Sequence, residues 1–256
     1  MTLDVTPRPG ASHRTRRVLA HARLELTMLA RNGEQLLLTV VIPLGLLLLL
    51  AKTSVVDLGT STPQERINVV VPGIFALAVL STSFTALAIQ TGFERRYGVL
   101  RRVATTPLTR GDVVAGKGAA VLLVEFVQIL VLGAVGAALG WRPDVVGLVL
   151  VVPVVILGSA SLASLALLLA GVVRAEATLA VANLGYLLLA AAGVLVPVAQ
   201  LPDRLQPVVD LLPSAALAEA LRDATISGQV NLTELTVLLA WLVVAGFAVT
   251  RTFRWE

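Results

Sequence analysis

The side chains able to bind a partner or to take part in chemistry are concentrated in residues 93–117, FERRYGVLRRVATTPLTRGDVVAGK. Residues before Pro107 alternate between an apolar and a polar face with the period of an α-helix, and the proline ends the pattern. The apolar face contains Tyr97, Leu100 and Val103 or Ala104. The polar face contains Glu94, Arg95, Gly98, Arg101 and Arg102. The pattern predicts a short amphipathic helix that docks into a groove on a partner protein, and binding to anionic lipid headgroups is the alternative.

The same stretch contains a sequence that matches the start of a phosphate-binding P-loop, G-x-x-x-x-G-K, at residues 111–117. A P-loop continues with Ser or Thr, which binds magnesium, but this chain continues with Gly118. No β-strand pattern precedes the motif, and the segment runs directly into an apolar helix. We therefore predict no nucleotide site and no cofactor on this chain.

Four polar residues stand inside long apolar runs. Glu125 and Gln128 are three residues apart on one helical face, and Asn183 and Tyr186 share a face in the same way. A charged group in a membrane helix costs roughly 2.5–3.5 kcal/mol on insertion scales, so such groups face protein or water. Glu125 and Gln128 therefore line a translocation path or form hydrogen bonds for packing. For Asn183 and Tyr186 we favour bonding between helices, and all four are candidates for the path.

Several kinds of chemistry are excluded by composition. The chain has no cysteine, which excludes disulfides, iron–sulfur clusters and thiolate zinc sites. Its two histidines, His13 and His21, lie outside the apolar runs, so neither a histidine-rich metal site nor an intramembrane serine–histidine mechanism is expected. We predict no metal site and no catalytic residue.

The fold class follows from hydropathy. The 256 residues are 57% hydrophobic and 14% charged, with a mean hydropathy of +0.88, which a water-soluble fold cannot accommodate. Six apolar stretches approach the ~20 residues that a helix needs to cross a bilayer. They cover residues 36–56, 69–89, 113–139, 145–173, 178–198 and 235–249, the last extended by Leu232 and Phe253. The prediction is an all-α polytopic membrane protein with six transmembrane helices, in a domain of residues 34–256.

The segment before the first span, residues 1–33, is predicted to be a cytoplasmic tail and an amphipathic interfacial helix. Residues 1–12 are interpreted as disordered because of their prolines and glycine. In the helix, Val18, Ala22, Leu26 and Leu29 share one face, while the other positions include Arg16, Arg17, Arg23 and Glu25. A simple cytosolic extension of the first span is the alternative.

The distribution of basic residues predicts orientation. Fifteen of the twenty Lys and Arg residues lie in the N-terminal segment, the 94–117 loop, the loop at Arg174 and the C-terminus, and five lie on the opposite side. By the positive-inside rule, both termini and the 94–117 loop are cytoplasmic in a multi-pass plasma (inner) membrane protein. The net charge of +4 therefore reflects topology and contact with anionic lipids, and not binding to nucleic acid.

The order of motifs resembles that of the type 2 ABC transporter permeases. Members of that family have four motifs in a fixed order after the second span: a Glu, a Gly-x-Leu element, a Thr-Pro dipeptide and a Gly-Lys pair. This chain supplies Glu94, Gly98 with Leu100, Thr106 with Pro107, and Gly116 with Lys117. It also has Val71-Pro72-Gly73 at the second span and a proline-containing segment before the last span. Arg96 and Arg101 depart from positions that are often acidic in the family.

The resemblance implies that residues 94–104 form a cytoplasmic coupling helix in a cleft of a separate ABC nucleotide-binding subunit, which holds ATP and Mg²⁺. The residues implied in coupling to that ATPase are Glu94, Arg95, Tyr97, Gly98, Leu100, Arg101, Thr106, Pro107 and Lys117. The resemblance further implies a second permease copy, as a homodimer or a related heterodimer, and export of a drug-like or lipid-like compound. An external segment, residues 197–229, would contain re-entrant helices, with an ordinary surface loop as the alternative.

Two other functions remain open from the residues alone. One is a proton-coupled secondary transporter in which Glu125 carries the proton, although such transporters commonly have several intramembrane charges. The other is a membrane scaffold that transports nothing. Capping boxes at Thr109 with Asp112 and at Asn231 with Glu234 predict where the third and sixth spans begin.

Overall fold

The computed structural model describes residues 12–31, 33–53 and 56–252, and within these ranges the secondary structure is helical, with no β-strand. The predicted disordered segment, apart from its last residue, and Phe253 lie outside the described residues. Ten α-helices are described. They are α1 Arg14–Arg31, α2 Gly33–Lys52, α3 Pro63–Arg96, α4 Val99–Ala104, α5 Arg110–Ala138, α6 Val145–Val172, α7 Ala175–Val194, α8 Gln206–Val209, α9 Pro213–Ser227 and α10 Leu232–Thr252.

Five of these helices, α3, α5, α6, α7 and α10, are long and apolar enough to cross a membrane. The remaining predicted span, the first at residues 36–56, corresponds to α2, whose apolar part, Thr39–Lys52, is shorter. The all-α polytopic fold is therefore confirmed. The largest difference from the predicted boundaries is in α3, which is 34 residues long and extends beyond the apolar stretch at both ends.

The ends of the long helices are set by local hydrogen bonds. Thr62 and Glu65 form a reciprocal capping box at the start of α3, and Pro63 occupies the first helical turn. The predicted box of Thr109 and Asp112 is present at the start of α5. At the start of α10, Asn231 Oδ1 accepts from the backbone N–H of Thr233, as expected of an N-cap residue.

Helix α3 is the centre of the bundle. In its most apolar stretch 78% of the residues are buried inside the protein, against 11% in α10. It packs against α2, α5 and α9, and its side chains Val71, Phe75 and Leu80 belong to the main hydrophobic core. Residues Leu80–Ala86 form a π-helical segment within α3. Helix α3 therefore contacts most of the other helices of the bundle.

Helix α1 packs lengthwise against α5. Its predicted apolar face is turned towards the protein, since Ala22 is buried and Val18, Leu26 and Leu29 are half-buried. Glu25, which the sequence analysis assigned to the other face, is buried as well. The exposed face carries Leu19, Leu24 and Met28 together with arginines.

Candidate functional site

Three helices meet at a buried group of charged side chains at the end of the bundle that carries α4. Lys117 on α5 places Nζ 2.9 Å from Glu25 Oε1 of α1, and 2.8 and 2.7 Å from the two carboxylate oxygens of Glu94 on α3. Gln90 on α3 donates its side-chain amide to Glu25 Oε2 at 2.6 Å and to Glu94 Oε1 at 2.9 Å. His21 Nε2 lies 3.3 Å from Glu25 Oε1. We call these five residues the charge cluster.

The charge cluster holds α1 to the membrane helices. Burying an ion costs several kcal/mol, which only close opposite charges and hydrogen bonds offset. Burial also lowers the pKa of His21, outweighing the opposing effect of Glu25, so the imidazole is neutral near pH 7. The cluster then contains two carboxylates and one ammonium group. A second contact ties the same helices, because buried Asp112 on α5 pairs with Arg14 at 3.2 Å and with Arg17 at 2.9 Å.

The Gly116–Lys117 pair has a packing explanation. A Cβ atom at Gly116 would lie 2.6 Å from His21 Cδ2, so only glycine lets the imidazole of α1 approach the α5 backbone. The next residue, Lys117, then reaches both glutamates. Residues 111–117 are helical and form the first turns of α5.

The predicted coupling helix is in two parts. Glu94 belongs to the end of α3, and Gly98, at φ +70°, breaks the chain before the six-residue helix α4. A non-glycine residue is disfavoured at that φ, which explains the glycine. The prediction of one helix with Tyr97 and Leu100 on a common face is wrong, because Leu100 is buried whereas Tyr97 is 66% exposed. The break separates a buried charged end of α3 from an exposed basic α4.

The remaining residues assigned to coupling divide between the interior and the surface. Arg95 donates to the carbonyls of Gly171 and of Val173, the latter at 2.8 Å, and so caps the end of α6. Arg101, Thr106 and Pro107 are exposed. The larger exposed side chains of this loop include Arg96, Tyr97, Arg101, Arg102, Thr106, Pro107 and Arg110, and these seven residues we call the loop surface.

A cavity of about 620 Å³ opens beside α3. Its walls come from α1, α2, α3, α4 and α7, and it extends from the charged end of α3, at Glu94 and Gln90, to the middle of the bundle. Its polar lining includes Ser81, Thr85 and two of the four predicted path residues, Asn183 and Tyr186. The remaining lining is mostly apolar, and includes Met28, Leu29, Ile42, Pro43, Ile89 and Phe93. A volume of this size is in the range of sites for small organic ligands.

Asn183 differs from the expectation of bonding between helices. Its side-chain amide donates to the carbonyl of Leu179, one turn earlier in α7, at 3.0 Å. A side chain that bonds within its own helix is free to line a cavity wall. Asn183 and Tyr186 both lie in the wall of the cavity.

Glu125 and Gln128 lie elsewhere, in the core where α3, α5 and α6 meet. Ser83 donates to Glu125 and lies 2.9 Å from Ser159 Oγ, and Gln128 Oε1 accepts from Thr82 at 3.1 Å. Both Ser83 and Thr82 belong to the π-helical segment of α3, a kind of irregularity that often re-aims side chains. Neither Glu125 nor Gln128 is among the residues that line the cavity.

At the opposite end of the bundle, α7 is interrupted. Ala192 and Gly193 have non-helical backbone angles, with φ +82° at Gly193. The buried Arg222 of α9 donates to the carbonyls of Gly193, at 3.0 Å, and Val194, and pairs with Glu219 at 2.7 Å. Helix α9 thereby satisfies the carbonyls freed by the break. In the segment predicted to be external, residues 197–229, the α9 part is packed into the bundle, whereas most residues from 199 to 211 are exposed.

Sequence reasoning missed several residues of these networks. Glu25 and Gln90 complete the charge cluster, and Arg222 caps the broken helix. The i, i+4 spacing of His21 and Glu25 was a usable signal for a shared face. Arg222 has no comparable signal, because a single arginine in a loop segment does not reveal which carbonyls it faces.

Within the described part of the chain, no group of three or more acidic or histidine side chains is arranged to hold a metal ion. A family model described as ABC-2 family transporter protein matches residues 35–251. The comparison with curated proteins gave no match.

Proposed function

Since this chain belongs to the ABC-2 family of transporter proteins, whose model covers most of its length, we propose that it exports hydrophobic or amphipathic compounds with energy from a separate ATPase. The chain itself is the membrane permease subunit of an ABC transporter. In the proposal, ATP and Mg²⁺ bind to the partner subunit, the membrane is the plasma membrane, and both termini and α4 face the cytoplasm.

The observation that carries the proposal is the combination of an exposed basic helix and a buried charge cluster at the two sides of Gly98. Helix α4 presents Arg101 and Arg102 to a partner, while Leu100 anchors it to the bundle. A few residues away, Glu94 is locked to α1 and α5 through Lys117. A displacement of α4 by a partner would therefore be transmitted to α3, α1 and α5 together, without an intervening flexible loop.

The cavity supports the proposed class of cargo. Its walls are largely apolar, with neutral hydrogen-bonding groups from Ser81, Thr85, Asn183 and Tyr186. Such a lining suits a compound with a large apolar body and a few polar groups. The lining includes Met28 and Leu29 of α1, so the cavity also adjoins the helix that the charge cluster holds in place.

A second copy of the chain would complete the cavity. Helix α7 lines it with Asn183 and Tyr186, and the same helix exposes Leu184, Leu187 and Leu188. A contiguous apolar surface beside an open cavity is suited to a partner helix. We infer a dimer in which two α7 helices approach each other and two cavities face a common path.

Docking to the ATPase is tested by charge reversal on the loop surface. The permease is co-expressed with the ATPase encoded beside it, and complex formation and ATP hydrolysis are measured after purification. We expect Arg101→Glu with Arg102→Glu to abolish co-purification. The matched control is Arg142→Glu with Arg204→Glu, two exposed arginines outside this loop, which should leave the complex intact. Equal binding by both double variants would refute docking through α4.

The dimer is tested by crosslinking, which the absence of cysteine from the chain makes direct. A single cysteine at Leu188 should form a disulfide-linked dimer on mild oxidation in membranes. A cysteine at Val149, a more exposed residue on α6, is the control and should remain monomeric. Crosslinking at Val149 but not at Leu188 would place the interface elsewhere.

The geometry gives less support to the alternatives. A proton carrier must communicate with the transport path, but Glu125 is enclosed by the core and does not line the cavity. A scaffold that transports nothing has no use for a cavity of this size. Transport that survives ATP depletion but stops when the proton gradient is collapsed would favour the proton-coupled alternative.

A further inference from the structure

A second cavity of about 450 Å³ lies on the other side of the bundle, between α5 and α6. No residue lines both cavities, so this one is separate from the proposed transport path. Its walls are side chains of α5 between Leu122 and Ala134 and of α6 between Leu148 and Ile156, together with Phe75 and Trp141. We call it the α5–α6 groove. Its lining is apolar throughout, apart from the indole nitrogen of Trp141.

The groove opens sideways from the bundle, towards the surrounding bilayer. Phe126, Leu130 and Val152 on its two walls are each more than half exposed. Trp141, in the connection between α5 and α6, is 92% buried and packs edge-on against Phe75 with 5.5 Å between ring centroids. The groove thus runs along the two helices from the level of this connection towards the middle of the membrane.

The length of the groove matches the depth of one leaflet of the bilayer. The α5 wall extends from Leu122 to Ala134, which corresponds to ~18 Å at ~1.5 Å per residue. One leaflet of a ~30 Å hydrocarbon core is ~15 Å deep, so the groove spans about one leaflet. An apolar groove that opens into the hydrocarbon region over this length is suited to the extended tail of a lipid.

We propose that the α5–α6 groove binds one acyl chain of a membrane phospholipid from the leaflet on the side of the α5–α6 connection. The chain lies along the groove between the exposed side chains of α5 and α6. The ester end of that chain lies at the Trp141 end of the groove, which is the end nearest the membrane surface. The inference does not depend on the proposed export activity.

The test uses fluorescence of Trp141, which borders the groove. The other two tryptophans, Trp241 and Trp255, are replaced by phenylalanine, and the purified protein is reconstituted in phosphatidylcholine vesicles. The vesicles contain either ordinary chains or chains brominated close to their ester end, the part of the chain that would lie beside Trp141, because bromine quenches tryptophan on contact. We expect strong quenching of Trp141 in brominated vesicles, since an acyl chain inside the groove brings bromine to the buried ring.

Glycines on α5 provide matched variants for this experiment. A Cβ at Gly133 would make ordinary contacts, at 3.5 Å to Phe75 Cζ and 3.7 Å to Trp141 Cζ3, so Gly133→Ala should be tolerated. Gly133→Leu should fill the groove and remove most of the quenching. Gly118→Leu is the control, because a Cβ at Gly118 has no atom within 4 Å and that residue does not line the groove. Val152→Phe narrows the groove from the other wall, in case Gly133→Leu does not fold.

Two results support the proposal and one overturns it. Quenching that is retained by Gly118→Leu and lost in Gly133→Leu, or in Val152→Phe, supports a chain bound in the groove. In vesicles that mix ordinary and brominated lipid, quenching can be followed as the brominated fraction increases. A maximum that is reached while ordinary lipid is still present supports a site that is filled preferentially. Quenching that is equal in all variants and proportional to the brominated fraction means annular lipid only, and refutes the proposal.

Discussion

Replacing Lys117 tests whether the charge cluster holds together the end of the bundle that carries α4. Lys117→Met keeps the length and the apolar stem of the side chain but removes its charge. Glu25 and Glu94 would then remain buried, with the amide of Gln90 between them and the neutral His21 3.3 Å from Glu25. Because both carboxylates now lack a cation, we expect α1 to separate from α3 and α5, or one carboxylate to take up a proton at a cost in stability.

The magnitude follows from the burial of the group. Lys117 is 3% exposed and its ammonium lies within 3 Å of both glutamates. Removing one partner of a buried ion pair typically costs about 3–5 kcal/mol, because the remaining charge is uncompensated. For a chain of this length ~1 kcal/mol corresponds to roughly 2–4 °C in the unfolding midpoint, so we expect a decrease of roughly 6–20 °C.

The assay is thermal unfolding of the purified protein in detergent, together with protease cleavage in α1 as a measure of its separation from the bundle. The matched control is Lys52→Met, the same substitution at the other lysine of the chain, which is exposed at the end of α2. That variant should change the stability by less than about 0.5 kcal/mol.

Neutralising the carboxylates separates the loss of the ion pairs from a general packing defect. Glu25→Gln and Glu94→Gln in the Lys117→Met background should restore much of the lost stability, since no charge is then buried without a partner. A midpoint for Lys117→Met within 2 °C of the Lys52→Met control would refute the reasoning. Failure of the triple variant to recover would show that the packing of the lysine stem, and not its charge, is important.

Three further predictions concern the other networks. Glu125→Gln should keep the hydrogen bond from the π-helical segment and unfold near the midpoint of the unmodified protein. Glu125→Leu should lose about 1–3 kcal/mol of stability in the same assay. An equal loss of stability in both variants would contradict a packing role for Glu125. His21 faces the two glutamates and the lysine of the charge cluster. Because burial lowers its pKa in the folded state, the unfolded chain binds the proton more tightly, so stability should fall as the pH drops below ~6.5. The midpoint difference between pH 7.5 and 5.5 should shrink in His21→Gln, and an unchanged difference would contradict the assignment. Arg222→Met should lower the free energy of unfolding by about 3 kcal/mol or more in the same thermal assay. Arg222→Lys should lower it by less, because lysine keeps the charge but lacks the planar guanidinium group that reaches two carbonyls.

The membrane helices were largely predictable from sequence because hydropathy is a local property. Residues 145–173 read as an apolar run, and α6 occupies Val145–Val172. The start of α5 was predicted by a capping box that depends on residues three apart. The extension of α3 was not predictable in this way, because Glu94 and Arg95 read as loop residues until their partners on other helices are known.

The site was predicted unevenly. The motif order singled out Glu94 and Lys117, and the structure brings these two residues into contact. The motif order did not indicate that Glu94 and Lys117 are both buried, nor that Glu25 contacts Lys117. The four polar residues of the spans were found from sequence, but only packing separates Glu125 and Gln128, which lie in the core, from Asn183 and Tyr186, which line the cavity.

Composition, hydrophobic period and charge distribution thus determined the helices, the fold class and the predicted orientation, since each depends on residues close together in the chain. Tertiary structure alone decided the pairings. Asp112 meets Arg14 across 98 positions and Lys117 meets Glu94 across 23, and nothing in either local sequence specifies the partner. The physical reason is that an ion pair depends on distance and on exclusion of water, and both arise only when separate helices pack.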